Sequence, residues 1–240
     1  MKKLFEKHES LACIILIVVY VVVNSVCLQF FQTTDYRMAI ANTILSAVLV
    51  VLMISLKRVS FYGLRKPEHA GKCLCFIPLA LIVAMQFRGG ISIENTPAEI
   101  ICHVIVMLNV GFLEEVIFRG FLFKMLEKSN LKSAIIVSAL TFGMGHIVNL
   151  LNGKDLIPTL MQVIYATAIG YLLVIIFCKT KSLVPCIIMH GVFNASSIVG
   201  GANDWSIYLV TAIYVIIGFG YALFIQMTVK ENRIAPAEKS

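Results

Sequence analysis

The chain has 240 residues, 59% of them hydrophobic and only 14% charged, with a mean hydropathy of +0.91 and a formal net charge of +7. A soluble globular domain is about a quarter charged, so this composition excludes a soluble fold and specifies an integral membrane protein. The seven cysteines are an odd number, lie mostly in apolar runs and form no CxxC pair, so they read as small core hydrophobes rather than a zinc ribbon or a dithiol redox site.

In chain order the apolar runs are Leu11–Phe31, Met38–Leu56, Cys73–Phe87, Ile100–Met125, Ser133–Leu151, Leu156–Cys178, Leu183–Gly200 and Trp205–Met227. A spanning helix needs roughly 20 mainly apolar residues. The expected fold is therefore all-α: a polytopic membrane protein with about eight transmembrane helices in a single domain over residues 1–240. The first run is too long for a signal-peptide core and ends without a small-residue cleavage pattern, so it reads as a retained helix. The third, 15 residues long, barely crosses a ~30 Å hydrocarbon core at ~1.5 Å per residue and is expected to be tilted or re-entrant. There are no internal repeats or low-complexity tracts, and the short polar tail after Lys230 is expected to be mobile.

An even number of spans puts both termini on one side. Segments on that side carry Lys2, Lys3, Lys7, Lys57, Arg58, Arg65, Lys66, Lys72, Lys124, Lys128, Lys132, Lys179, Lys181, Lys230, Arg233 and Lys239, whereas the other side carries Arg37, Arg88 and Lys154. The bias recurs loop after loop, as the positive-inside rule requires. The net charge is thus a topology signal and not a sign of a nucleic-acid partner. Both termini are expected in the cytosol, in the plasma membrane if the cell is bacterial. The loop KRVSFYGLRKPEHAGK is basic and contains Phe61 and Tyr62, so it is a candidate for contact with anionic lipid.

Three runs contain groups that lipid rejects: Glu114, Glu115 and Arg119 in the fourth, His146 in the fifth, and His190 with Asn194 in the seventh. A charge at the bilayer centre costs at least ~2.5 kcal/mol on insertion scales, so such groups face a bundle interior or a wet cavity. Counting ~1.5 Å per residue from the nearest basic residue, Glu114 lies about 15 Å in, His146 about 21 Å, His190 about 14 Å and Asn194 about 20 Å. They can meet at one level. Glu115 and Arg119 are i and i+4 and can pair along their helix, as His190 and Asn194 can share a face. Glu114 is then the less obviously paired carboxylate, suited to act as a general base on water. Any one of these residues is more often a packing clip or an interhelical hydrogen bonder, but three helices converging at one depth point to a site. His103, some 17 Å along the helix from Glu114 at ~1.5 Å per residue, reads as a satisfied structural histidine. Ala166 and Gly170, and Gly143 and Gly145, read as points of close helix packing.

Glu114-Glu115-Val-Ile-Phe-Arg119, Phe142-Gly-Met-Gly-His146 and His190-Gly-Val-Phe-Asn194 resemble the EExxxR, FxxxH and HxxxN motifs of the CPBP family, which comprises CAAX prenyl endopeptidases and bacteriocin-processing and immunity (Abi) proteins. The similar texture covers residues 111–197, the expected catalytic core. The resemblance implies an intramembrane endopeptidase with its site open to the cytosolic side, acting on a peptide or a membrane-anchored protein in the bilayer. It implies a catalytic group of Glu114, Glu115, His146, His190 and Asn194. Within it Glu114 activates water with His146 beside it, and His190 and Asn194 donate to the oxyanion. Arg119 and Glu115 hold the constellation in place, and Phe142 packs under the histidine. No cofactor is expected for glutamate–water chemistry. The alternative is one Zn2+ held by Glu114, His146 and His190, although no HExxH is present. The rival readings are a non-enzymatic immunity or interaction protein of the same fold and a small transporter with a proton relay. The transporter would be expected to show inverted repeats or broken helices, and neither is visible.

Overall fold

The computed structural model describes residues 2–202 and 204–229. Lys230, Arg233, Lys239 and the tail expected to be mobile lie outside the described residues. The described chain is all-α, its only bridge pairing Ile91 with Gly200. Its helices are α1 (Lys2–Lys7), α2 (Glu9–Phe30), α3 (Tyr36–Ser55), α4 (Ala70–Cys73), α5 (Phe76–Ala84), α6 (Pro97–Glu115), α7 (Lys124–Leu126), α8 (Leu131–Gly145), α9 (Leu156–Thr180), α10 (Val184–Ser196) and α11 (Ile207–Thr228).

Six helical stretches among the described residues are long and apolar enough to cross a membrane: α2, α3, Pro97–Leu126, Leu131–Leu150, α9 and α11. The third and seventh runs are also helical but shorter, Phe76–Phe87 and Val184–Val199. The shortness of the third was expected and that of the seventh was not. At ~1.5 Å per residue neither reaches ~30 Å, because both hang from loops that dip into the bundle and satisfy each other's backbone. Leu183 donates its N–H to the Gly63 carbonyl at 2.8 Å at one end, and Gly201 donates to Gly90 at 2.9 Å at the other. Non-helical backbone is tolerated at membrane depth only where it is covered in this way.

Local signals fix the helix starts. The hydroxyl of Thr96 and the carboxylate of Glu99 form a reciprocal capping box before Pro97 at the first turn of α6. Asn130 accepts from the Ser133 N–H at 2.9 Å at the start of α8. Exposed aliphatic residues repeat at helical spacing on the outer faces, as with Ile14, Val18 and Val22 of α2 and Ile40, Ile44, Val48 and Val51 of α3. These are the lipid-facing stripes of a bundle whose backbone is satisfied internally.

Helix α11 runs parallel to α9, with Tyr214 5.2 Å from Tyr165 and Phe219 5.3 Å from Tyr171 between ring centroids. The described chain therefore leaves the bundle at the end where it enters, the end carrying the basic loops. Close approaches hold the motif helices together. A Cβ on Gly111 would lie 2.7 Å from the backbone nitrogen of Gly191, which ties α6 to α10, and one on Gly143 would lie 1.9 Å from Thr167 Oγ1, which ties α8 to α9. The close-packing reading thus holds at Gly143, whereas a Cβ on Gly145 would meet only Phe118 Cζ, at 3.9 Å.

Between α6 and α7 the helix widens into π-helical turns over Val116–Phe123, all eight residues of which are buried. Such turns are rare and are often found at functional sites. Ser138 of α8 donates its hydroxyl to the Phe118 carbonyl at 3.1 Å within this segment. At the basic end the loop after α3 folds inward. Tyr62 is 1% exposed and its ring centroid lies 4.2 Å from that of Phe121. Burial raises its phenol above the ordinary value. Tyr62 is therefore a plug in the core, and only Phe61 of the expected pair is exposed. None of the seven cysteines forms a disulfide.

Candidate active site

The widened segment begins directly after the paired carboxylates, which close α6 and, as neighbours on a helix, point about 100° apart. Glu115 is 0% exposed and accepts hydrogen bonds at Oε1 from Arg119 Nη1 at 3.0 Å and His190 Nδ1 at 3.0 Å. Glu114 remains 15% exposed and forms part of a cavity wall. Its Oε1 accepts from the Tyr20 hydroxyl at 2.7 Å, and its Oε2 lies 3.5 Å from His190 Nε2. His190 therefore sits between the two carboxylates. Because Glu115 as a carboxylate can only accept, His190 Nδ1 carries a proton and Nε2 faces Glu114.

Arg119, also fully buried, donates Nη2 to the Gly170 carbonyl at 3.1 Å and lies 4.1 Å from the centroid of the Phe142 ring. A Cβ at Gly170 would come 2.8 Å from Phe142 Cδ1 and 3.0 Å from Arg119 Nη2. The small residue anticipated in α9 thus seats the arginine and the aromatic ring together. Phe142 in turn meets His146 and His190 edge-on, at 5.4 and 5.5 Å between centroids. His146 Nδ1 is 3.2 Å from the Phe142 carbonyl. A carbonyl accepts only, so this nitrogen bears the proton and Nε2 keeps its lone pair.

The structure thus brings Glu114, Glu115, Arg119, Phe142, His146, His190 and Asn194 to one level. Glu115 is sealed beside Arg119, the pair expected to hold the constellation in place. His190, expected as an oxyanion donor, lies between both carboxylates, while Asn194 one turn on lines the cavity wall with His146. His103 lies apart, as anticipated, within 3.0 Å of Thr33 Oγ1 and 3.3 Å of Ser197 Oγ.

Tyr20 was not anticipated. It lies in α2, outside every motif, and the available signal was the pair Tyr20 and Asn24, polar residues at i and i+4 in an otherwise aliphatic run. Both line the same cavity as Glu114.

That cavity has a volume of about 780 Å³. From Glu114 and His146 it extends past Asn24 and Asn152 to Gln32, Gln86 and Lys154. Those last residues lie at the end of the bundle that carries Arg37, Arg88 and Lys154. At the other end, among the basic loops, Phe121 packs against Phe5 and Tyr62 with centroid separations of 5.1 and 4.2 Å. A small apolar recess formed by Ile82, Ile169, Leu173 and Met189 joins the site at His146, His190 and Asn194.

Among the described residues no group of three His, Cys, Asp or Glu side chains has metal-holding geometry. Both histidines direct Nδ1 to a fixed acceptor, Glu115 for His190 and the Phe142 carbonyl for His146, so each keeps Nε2 for water, a proton or a metal ion.

Fold and site define an all-α polytopic membrane protein with a carboxylate–imidazole–amide cluster at the foot of a cavity lined by both polar and apolar side chains. Residues 96–196, from the cap of α6 to the end of α10, match the family described as Rce1-like, type II CAAX prenyl endopeptidase. This is the CAAX-protease family to which the three motifs bear their resemblance, and the match supports intramembrane endopeptidase activity in general. No curated protein and no solved structure matches the chain.

Proposed function

We propose that the chain hydrolyses a peptide bond within the membrane using a water molecule activated by Glu114. The observation that carries this reading is the division of labour between adjacent carboxylates: Glu115 is neutralised by Arg119 and buried, while Glu114 reaches the cavity, held by Tyr20 and His190. Glu114 takes a proton from water as hydroxide adds to the carbonyl carbon, and returns it to the amine nitrogen as the C–N bond breaks. His146 Nε2 orients the water by accepting its second hydrogen.

Asn194 donates its side-chain amide to the oxyanion, a contribution whose loss costs ~10²–10³ in rate in other enzymes. His190 holds Glu114 in register, and Glu115, Arg119 and Phe142 hold His190. The apolar recess beside Asn194 suits a small hydrophobic side chain next to the scissile bond.

The test is cleavage of a membrane-proximal peptide library by the purified protein in detergent, wild type against Glu114→Gln. Loss of cleavage in a variant that remains folded supports the mechanism. Equal cleavage by both removes Glu114 as the base, and cleavage by neither favours the binding-protein reading.

A further inference from the structure

Asn194, the proposed oxyanion donor, stands in the last turn of α10, which ends at Ser196 and tightens into 3-10 geometry over Ser197–Val199. The last carbonyls of a helix have no partner within it, so helices fray at this point. The amide that has to be aimed at the oxyanion is thus carried by the least secured turn of its element. What secures that turn comes from α6.

Two contacts join α10 to α6, one on each side of Asn194. Before it in the chain, a Cβ on Gly111 would lie 2.7 Å from the Gly191 nitrogen, so the two backbones meet there. After it, Ser197 Oγ lies 3.3 Å from His103 Nε2. His103 is 6% exposed, and its Nδ1 is 3.0 Å from Thr33 Oγ1 in the segment between α2 and α3. Thr33, Asn194 and Ser197 all line the large cavity, so the imidazole ties together residues from different parts of one wall.

The direction of each hydrogen bond follows from what the partners can do. The Asn194 carbonyl takes the Ser197 N–H and, at 2.7 Å, the Ser197 hydroxyl hydrogen. The serine hydroxyl has no second hydrogen, so its oxygen accepts from His103 Nε2–H. With one proton on the ring, Nδ1 keeps its lone pair and takes the hydroxyl hydrogen of Thr33. The result is a relay that runs one way, from Thr33 through the imidazole and Ser197 to the backbone of Asn194. His103 makes no contact with the reacting cluster, but the relay ends on the residue whose side chain lines the cavity beside His146. A misplacement of ~1 Å in such a group can cost ~10²-fold in rate.

We propose that His103 is a positioning residue, which through Ser197 holds the last turn of α10 against α6 and so aims the Asn194 amide at the oxyanion. The proposal rests on the endopeptidase reading for the oxyanion, and on the relay alone for the tether.

The experiment has two arms on the full-length chain. In the first, His103→Leu, His103→Gln and Ser197→Ala are assayed on a peptide that the wild type cuts, and His103→Leu is also combined with Asn194→Ala. His103→Leu and Ser197→Ala are expected to lower kcat by about ten-fold with KM within about two-fold, part of the ~10²–10³ that an oxyanion donor supplies. His103→Gln keeps a donor for Ser197 and should retain most of the rate. In the Asn194→Ala background, His103→Leu should change kcat by less than about two-fold, because the group it positions is gone. An unchanged kcat in the single variants, or an equal loss in both backgrounds, overturns the proposal, since a merely structural histidine acts without regard to Asn194. Ser197→Ala removes only a hydroxyl at an exposed position, so it carries the test if His103→Leu does not fold.

The second arm needs no catalysis. The side-chain amide signals of Asn194 are followed by NMR in protein made with isotopically labelled asparagine, and are identified by their loss in Asn194→Ala. They are expected to shift or broaden in His103→Leu and Ser197→Ala and to return toward the wild-type position in His103→Gln. Signals unchanged in His103→Leu and Ser197→Ala overturn the tether. If the wild type cuts no peptide, the endopeptidase reading fails, and the amide signals alone decide whether His103 positions Asn194.

Discussion

The Tyr20 hydroxyl donates a 2.7 Å hydrogen bond to Glu114 Oε1 across 94 residues of sequence. It is the contact by which a helix without any motif reaches the proposed general base. A hydrogen bond to a charged acceptor is worth ~1.5–3 kcal/mol, and here it fixes which way the carboxylate faces. Tyr20→Phe is expected to lower kcat by about ten-fold or more at nearly constant KM, read by steady-state cleavage of a peptide substrate. A kcat equal to wild type would show that the contact does not serve catalysis.

The buried pair of Glu115 and Arg119, both 0% exposed at 3.0 Å, should behave as a unit. Removing one partner from such a pair typically destabilises by ~3–5 kcal/mol because the other charge is left uncompensated. Arg119→Met is expected to lower the unfolding temperature in detergent sharply. Glu115→Gln combined with Arg119→Met should recover much of that stability without recovering cleavage, since His190 loses its anionic anchor. A double variant as unstable as the single one would contradict this.

Two glycines give a paired test of packing. A Cβ on Gly170 would meet Phe142 at 2.8 Å and Arg119 at 3.0 Å, whereas one on Gly220 has nothing within 4 Å. Gly170→Ala should destabilise by ~1–3 kcal/mol through overpacking and reduce cleavage by displacing Arg119. Gly220→Ala should be neutral or stabilising by up to ~1 kcal/mol through helix propensity. Thermal unfolding of both variants is the measurement, and similar losses in the two would argue against a specific seat at Gly170.

The arrangement of His190 and His146 bears on metal dependence. Nδ1 of both rings is committed to Glu115 and to the Phe142 carbonyl, which leaves Nε2 available in a water-only site and a metal site alike. Under the glutamate–water mechanism proposed here, cleavage is expected to persist through incubation with a strong chelator. Activity lost on chelation and restored by zinc would replace the glutamate–water mechanism with a metallopeptidase one.

The fold was legible to the extent that hydrophobicity encodes it. All eight apolar runs are helical, because a chain in lipid must satisfy its backbone within helices. The seventh run is shorter than expected because its length is set by the loops from which it hangs, with Leu183 bonded to Gly63 and Gly201 to Gly90. Run length in sequence carries no information on such tethers. Tyr62 shows the same limit. An aromatic residue in a basic loop suggests lipid contact, but the loop folds inward and its ring lies against Phe121.

By itself the sequence determined the membrane class, the charge asymmetry between the two ends and the convergence of Glu114, His146, His190 and Asn194. Those features follow from composition, from the positive-inside rule and from a helical rise of ~1.5 Å per residue. The i, i+4 spacing already pointed to Glu115 as the partner of Arg119; only the tertiary structure decided that Tyr20 joins the site and that the cavity beside Glu114 reaches Gln32, Gln86 and Lys154. Each of these depends on the rotation of one helix against another. Close approaches such as that of Gly111 to Gly191 hold that rotation in place. A one-dimensional count of residues fixes depth along a helix, but its facing is fixed by the neighbours that pack against it.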